Sequence, residues 1–173
     1  AETAAALQQE NKLDDVEGAM WASMEAKGDK VLRDLAARKR QELAIRQNLK
    51  TIQDNIDRYL REHGRRPAKI EDLLDAGYFG EAAKTDRSVL NDALGGKYIL
   101  DAAGAPQSTS LLDMQRDKAL AALRDGVKRY HEDNHAYPAT LDAITQKYMQ
   151  AVPPHPYAGQ AWRYNAATGE VSP

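Results

Sequence analysis

His131-Glu132-Asp133-Asn134-His135-Ala136-Tyr137-Pro138, or HEDNHAYP, carries two incompatible patterns. Its first five residues spell H-E-x-x-H, in which two histidines on one helix face hold zinc while the glutamate activates a water. Its last two turn a helix-forming run into a proline turn. The residue before a proline is pushed out of the α region, so the helix is expected to stop near Asn134. His135 then falls where a left-handed residue commonly closes a helix, off the face that carries His131. Tyr130 is expected to point inward, with His131 and Glu132 pointing outward. The expectation is a helix stop. A zinc peptidase built on His131, Glu132 and His135 is the alternative.

Working outward, the stretch has a twin 71 residues earlier. Leu49, Ile52, Ile56 and Tyr59 fall on Leu120, Leu123, Val127 and Tyr130, and their 3-4-3 spacing is one face of an amphipathic helix. At the same shift Pro67 falls on Pro138, Ile70 on Leu141 and Leu73 on Ile144. Each copy reads as a long helix, a turn, a proline and a shorter helix. The twin keeps the tyrosine and proline and drops the histidines, reading Leu60-Arg61-Glu62-His63-Gly64. The shift then drops to 64, so that Asn91 falls on His155, Gly95 on Gly159 and Tyr98 on Trp162. Aromatic and β-branched residues followed by an Asp/Asn-to-Gly turn predict a β-hairpin in each copy. Ser110 with Asp113 is expected to cap the second long helix. Internal repetition of this kind sets the domain organisation: a helical segment 1–47, a unit 48–109 and a unit 110–173.

Composition narrows the function classes. Of 173 residues only one is Phe, and the mean hydropathy is −0.68, so the folded units should be small. The absence of Cys excludes disulfides, thiolate catalysis and Cys-ligated zinc. No run approaches the ~18–20 apolar residues of a membrane span. Residues 1–26 hold six acids against one Lys, whereas residues 29–50 hold seven bases against three acids. That basic helix, 30–50, offers a nucleic-acid adaptor as a further alternative, although a net charge of −2 argues against a whole-chain footprint. Gly28-Asp29 reads as a helix break with Asp29 capping the next helix. Met20, Trp21 and Met24 lie close together on the first helix and are the candidate partner-docking patch. Ser110 lacks triad partners, Gly95-Gly96 opens a strand rather than a helix, and the paired acids Asp14-Asp15 and Glu71-Asp72 read as solvated helix faces. No catalytic residue, metal ligand or cofactor site is assigned.

With both copies laid out, each resembles the globular part of a pseudopilin, the type IV pilin-like subunit of type II secretion systems, and the major pseudopilin in particular. In the second copy Tyr130, Asp133, Asn134, Tyr137, Pro138, Leu141 and Ile144 match the family's helix end and short helix. Pro154, Pro156, Tyr157, Gly159, Trp162, Tyr164 and Gly169 match its proline-aromatic loop and closing hairpin. In the first copy Tyr59, Pro67, Ile70, Leu73, Asp92, Gly95 and Tyr98 keep the skeleton. The resemblance covers about 48–173. It implies an α+β fold: a long N-terminal helix followed by two tandem units, each a helix packed on a small antiparallel hairpin. It also implies a non-enzymatic, exported protein of the periplasm or cell envelope that makes protein–protein contacts in a type II secretion or type IV pilus-like machine. The implied partners are components of that machine or a second copy bound through the N-terminal helix, with membrane contact only through a segment absent from this chain.

Two departures from the family stand out. Its members begin with an apolar helix of about twenty residues, whereas Ala1–Leu32 is acidic and polar, and they carry one globular unit rather than two. The family's major pseudopilins also bind calcium through acidic loop groups. Here the second copy has no matching cluster, and Asp86, Asp92 and Asp101 of the first are few donors for an oxygen-rich site.

Overall fold

The computed structural model describes the backbone of residues 2–173 and the side chains of residues 12–173. The chain is α+β, dominated by helix, with two small antiparallel sheets. It divides into two compact units, Ala1–Ser110 and Leu111–Pro173.

Unit 1 starts with α1, Glu2–Lys27, and α2, Lys30–His63. Asp29 separates them as an N-cap, its carboxylate accepting from the Leu32 N–H at 2.9 Å. This supplies one of the acceptors that a helix start lacks. α2 runs unbroken through residues 47–48 and ends at Gly64, whose φ of 69° places it in the left-handed region. The N-terminal helix is paired within the chain. Lys50 binds Asp14, Arg46 binds Glu17 and Arg40 binds Glu25, so α1 folds back antiparallel along α2. The acidic and basic stretches of the sequence are the two arms of one helical hairpin.

After α2 come α3 (Ile70–Asp75), α4 (Glu81–Thr85), a 3-10 turn (Arg87–Leu90), and the strands β1 (Tyr98–Leu100) and β2 (Pro106–Ser108). β1 and β2 pair antiparallel with Ile99 opposite Gln107. The core gathers Ile45, Ile52, Ile56 and Tyr59 of α2, Ile70, Leu73 and Leu74 of α3, and Tyr98 of β1, all buried. Ile52, Ile56 and Tyr59 are three of the four positions that the 3-4-3 spacing selects; the fourth, Leu49, is half-buried, and Ile45, two turns before Ile52, extends the face.

Unit 2 takes the body of α5, Thr109–Asn134, then a 3-10 turn (Leu141–Ile144), β3 (Arg163–Asn165) and β4 (Glu170–Ser172). Its core is Leu120, Leu123, Val127, Ile144 and Val171, with Tyr130, Leu141, Trp162 and Tyr164 packed against it. Three details differ from expectation. The segment after Pro138 is one 3-10 turn, not an α-helix. The β3 strand begins at Arg163 rather than Trp162, because the Trp162 indole N–H donates to the Pro153 carbonyl at 2.8 Å and anchors the preceding loop. Ser110 does not pair with Asp113. Its hydroxyl donates to Asp92, while Asp113 accepts from Arg116 and from the Tyr157 hydroxyl.

Candidate functional site

The helix stop comes first. α5 ends at Asn134 and His135 has φ 52°, its N–H donating to the His131 carbonyl at 2.9 Å. His131 stacks on Tyr137, ring centroids 4.3 Å apart, and Glu132 and His135 are exposed. The two histidines are therefore not presented together from one face. Tyr137 in turn lies over the β3–β4 turn. A Cβ built at Gly169, where φ is 71°, would sit 2.3 Å from the Tyr137 ring, so only glycine fits under it. Tyr164 completes the join by donating its hydroxyl to the Pro138 carbonyl at 2.7 Å. HEDNHAYP thus fastens a helix end to a hairpin through His131, Tyr137 and Pro138.

In unit 1, Arg66 lies over the β1–β2 turn. Its guanidinium donates to the Gly104 carbonyl at 3.3 Å, and its Cδ lies 3.3 Å from a Cβ built on Gly104, where φ is 76°. Both turns are closed by a side chain at their first corner: Asp101 accepts from the Ala103 and Ala105 N–H groups, and Asn165 from that of Ala167. Gly95 and Gly159 both have positive φ, and Pro67 and Pro138 are both buried. Pro156 is half-buried in the loop between His155 and Tyr157.

A second constellation escaped the sequence comparison. In unit 1 the Tyr78 hydroxyl donates to Glu62, with Tyr59 at 5.6 Å centroid distance and the Arg58 guanidinium 4.7 Å above the Tyr78 ring. In unit 2 the Tyr148 hydroxyl donates to Asp133 at 2.8 Å, with Tyr130 at 5.9 Å and the Lys147 ammonium 5.1 Å above the ring. The Tyr78 hydroxyl and Arg58 hold the Glu62 carboxyl below its ordinary range, and Lys147 and Tyr148 do the same for Asp133. Each cation sits on the electron-rich face of a ring that also caps a carboxylate. Tyr78 and Tyr148 are separated by 70 residues, between the two blocks of repeat register, which is why a fixed shift passes over them.

Asp86, Asp92 and Asp101 of unit 1 are committed to turns. Asp92, only 6 % exposed, accepts from the Ser108 hydroxyl at 2.6 Å, the Ser110 hydroxyl at 2.8 Å and the N–H groups of Leu94 and Gly96. Burial pushes its carboxyl up, but these hydrogen bonds outweigh burial and hold it below the ordinary range. Asp86 accepts from the Ser88 N–H, and backbone N–H donors hold Asp86 and Asp101 low as well. Among the described residues, no three His, Asp or Glu side chains gather as a metal would require.

The α1–α2 hairpin carries the docking candidates. Met20 and Met24 are 42 % and 39 % exposed, whereas Trp21 is half-buried and its indole N–H donates to Glu17 at 3.1 Å. Leu13 (64 %) and Val16 (68 %) extend the exposed line. Its 3-4-4 spacing was visible in the sequence and places all four on one helix face. Of the seven bases in 29–50, five (Arg38, Lys39, Arg40, Arg46 and Lys50) are ion-paired with Glu42 or with the acids of α1, which leaves Lys30 and Arg33 without an ion pair among the described residues. No family model, curated protein or solved structure matches the chain.

Proposed function

We propose that this chain is a non-enzymatic assembly protein of the cell envelope. In this reading two tandem pseudopilin-like modules follow a helical hairpin, and the protein makes protein–protein contacts in a type II secretion or type IV pilus-like machine. One observation carries it. The two units reuse the same joints with different letters: Glu62–Tyr78 with Arg58 against Asp133–Tyr148 with Lys147, and Arg66 over Gly104 against Tyr137 over Gly169. Arg66 and Tyr137 are 71 residues apart, as are Glu62 and Asp133. Joints that survive while their residue types change support a duplicated structural module. A duplicated active site would have to keep its chemistry as well as its shape. The polar groups of these joints are used in holding helix ends to turns, which is what a rigid protein-binding platform needs. Placement in the envelope rests on the resemblance to exported pilin-like subunits.

The test is genetic and chemical together. In a cell that carries such a machine, removing the chain should impair secretion or fibre assembly. A His135→Asn variant, which keeps a residue tolerant of the left-handed conformation, should restore it. One tightly bound zinc per wild-type chain, with no restoration by His135→Asn, would replace this reading with the peptidase. A steeply salt-dependent affinity for nucleic acid would replace it with the adaptor.

A further inference from the structure

The α1–α2 hairpin carries an uncovered apolar face and a groove of opposite character. Leu13, Val16, Met20 and Met24 form the face, and at these exposures they present on the order of 350 Å² of largely apolar surface, the size of the largest patch on a typical monomer, which is often functional. The groove, about 590 Å³, is lined by the small residues Gly18, Ala22, Ala37 and Ala44 and by three acids, Asp14, Asp15 and Glu25, against one base, Arg40. It is shallow because Gly18 lets the helices approach: a Cβ there would meet the Leu43 Cδ2 at 3.3 Å. Residues two apart on a helix point about 200° apart. Gly18 and Ala22 therefore lie across α1 from Val16 and Met20.

Charge selects the pairing. The apolar face is bracketed by Lys12 and Lys27, both exposed and, among the described residues, without an ion pair; the groove carries Asp15 in the same condition. Antiparallel packing of face on face would bring the lysines of two copies together, which like-charge repulsion disfavours. Face into groove puts lysines beside Asp15, the one groove acid among the described residues that is not already paired (Asp14 is held by Lys50 and Glu25 by Arg40), and large side chains over small ones.

We infer that the partner of this hairpin is a second copy of the chain, the Leu13–Met24 face of one copy seating in the α1–α2 groove of the next. This takes the assembly reading as its premise and names the partner. Because face and groove are on opposite sides, the contact is heterologous. Each pair keeps one free face and one free groove, so association continues past two. The area is below that of a standard interface, so the contact is weak and concentration-dependent.

Sedimentation velocity on the full chain, from ~10 µM to ~1 mM, tests this with two exposed substitutions. Met20→Lys spoils the face and Ala22→Arg blocks the groove. Circular dichroism checks that both variants keep the helicity of the parent. The parent should form a ladder of species beyond dimer. Each variant alone should be monomeric, and an equimolar mixture should stop at a 1:1 dimer, because one intact face meets one intact groove. A parent that is monomeric throughout, a closed dimer with no larger species, or a mixture that stays monomeric would overturn the inference. So would a monomer whose face instead binds phosphatidylcholine vesicles. A monomeric parent that still restores secretion leaves the assembly reading standing while removing this one.

Discussion

Gly169→Ala tests the role assigned to HEDNHAYP. Two costs add. The φ of 71° at this position is left-handed, which costs a residue with a Cβ about 1–2 kcal/mol. The new Cβ also lies 2.3 Å from the Tyr137 ring, so the ring must leave. Since Tyr137 is 39 % exposed it can swing outward, and that cost is capped near the value of the His131 stack, about 1 kcal/mol. The total is about 2–3 kcal/mol. Gly104→Ala shares the left-handed cost, with φ 76°, but meets only a flexible Arg66 at 3.3 Å, so about 1–2 kcal/mol is expected. Urea unfolding, followed by Trp162 fluorescence in a Trp21→Phe background for Gly169→Ala and by circular dichroism for Gly104→Ala, measures both. In the double variant Tyr137→Ala/Gly169→Ala the ring is gone, so the two losses should sum to about 1 kcal/mol more than is measured. A Gly169→Ala loss no greater than that of Gly104→Ala, or strict additivity with Tyr137→Ala, would refute the proposed joint.

Asp92→Ala removes the acceptor of the Ser108 and Ser110 hydroxyls and of the Leu94 and Ser110 N–H groups, and should cost unit 1 about 3 kcal/mol in chemical denaturation. Because the folded carboxyl is held low, the stability Asp92 contributes is present above its unfolded pKa of about 3.9 and is lost as pH falls through the folded value. The difference between parent and Asp92→Asn should therefore shrink in acid, and a difference that grows there would contradict the assignment. Tyr78→Phe and Tyr148→Phe should each let the neighbouring carboxyl, Glu62 or Asp133, rise toward its ordinary range, as read by NMR titration. The ion pairs Asp14–Lys50, Glu17–Arg46 and Glu25–Arg40 are partly exposed, so each is worth at most about 1 kcal/mol and is screened by salt. Amide exchange in α1 should accordingly accelerate in ~1 M salt more than exchange in the Ile52–Tyr59 turns of α2.

Much of the architecture was legible because it is local. The stop at Asn134, the left-handed His135 and the Asp29 cap follow from neighbours within a few residues. The buried positions Ile52, Ile56, Leu123 and Val127 follow from helical period. The hairpin of α1 on α2 was hidden because its acids and bases were read as separate stretches. Yet Asp14, Glu17 and Glu25 pair with Lys50, Arg46 and Arg40 at a nearly constant position sum of 63 to 65, and a constant sum is the mark of an antiparallel pair. Met20 and Met24 stand out by their closeness to Trp21, whereas Leu13 and Val16 join them only through the 3-4-4 spacing along the helix. Trp21 itself turned out to serve the hairpin, through Glu17. Ser110 looked like a cap for Asp113 because both are near a helix start, but the buried Asp92 competes for its hydroxyl from 18 residues away. No local rule contains that contact.

We propose that this chain works by binding other proteins of the envelope. In-cell cross-linking from a photoreactive amino acid at position 20 tests this most directly. Adducts in the envelope fraction that contain a second copy of the chain or a pilin-like subunit of a secretion machine are expected. Adducts to nucleic acid, or a chain confined to the cytosol with no protein adduct, would contradict it.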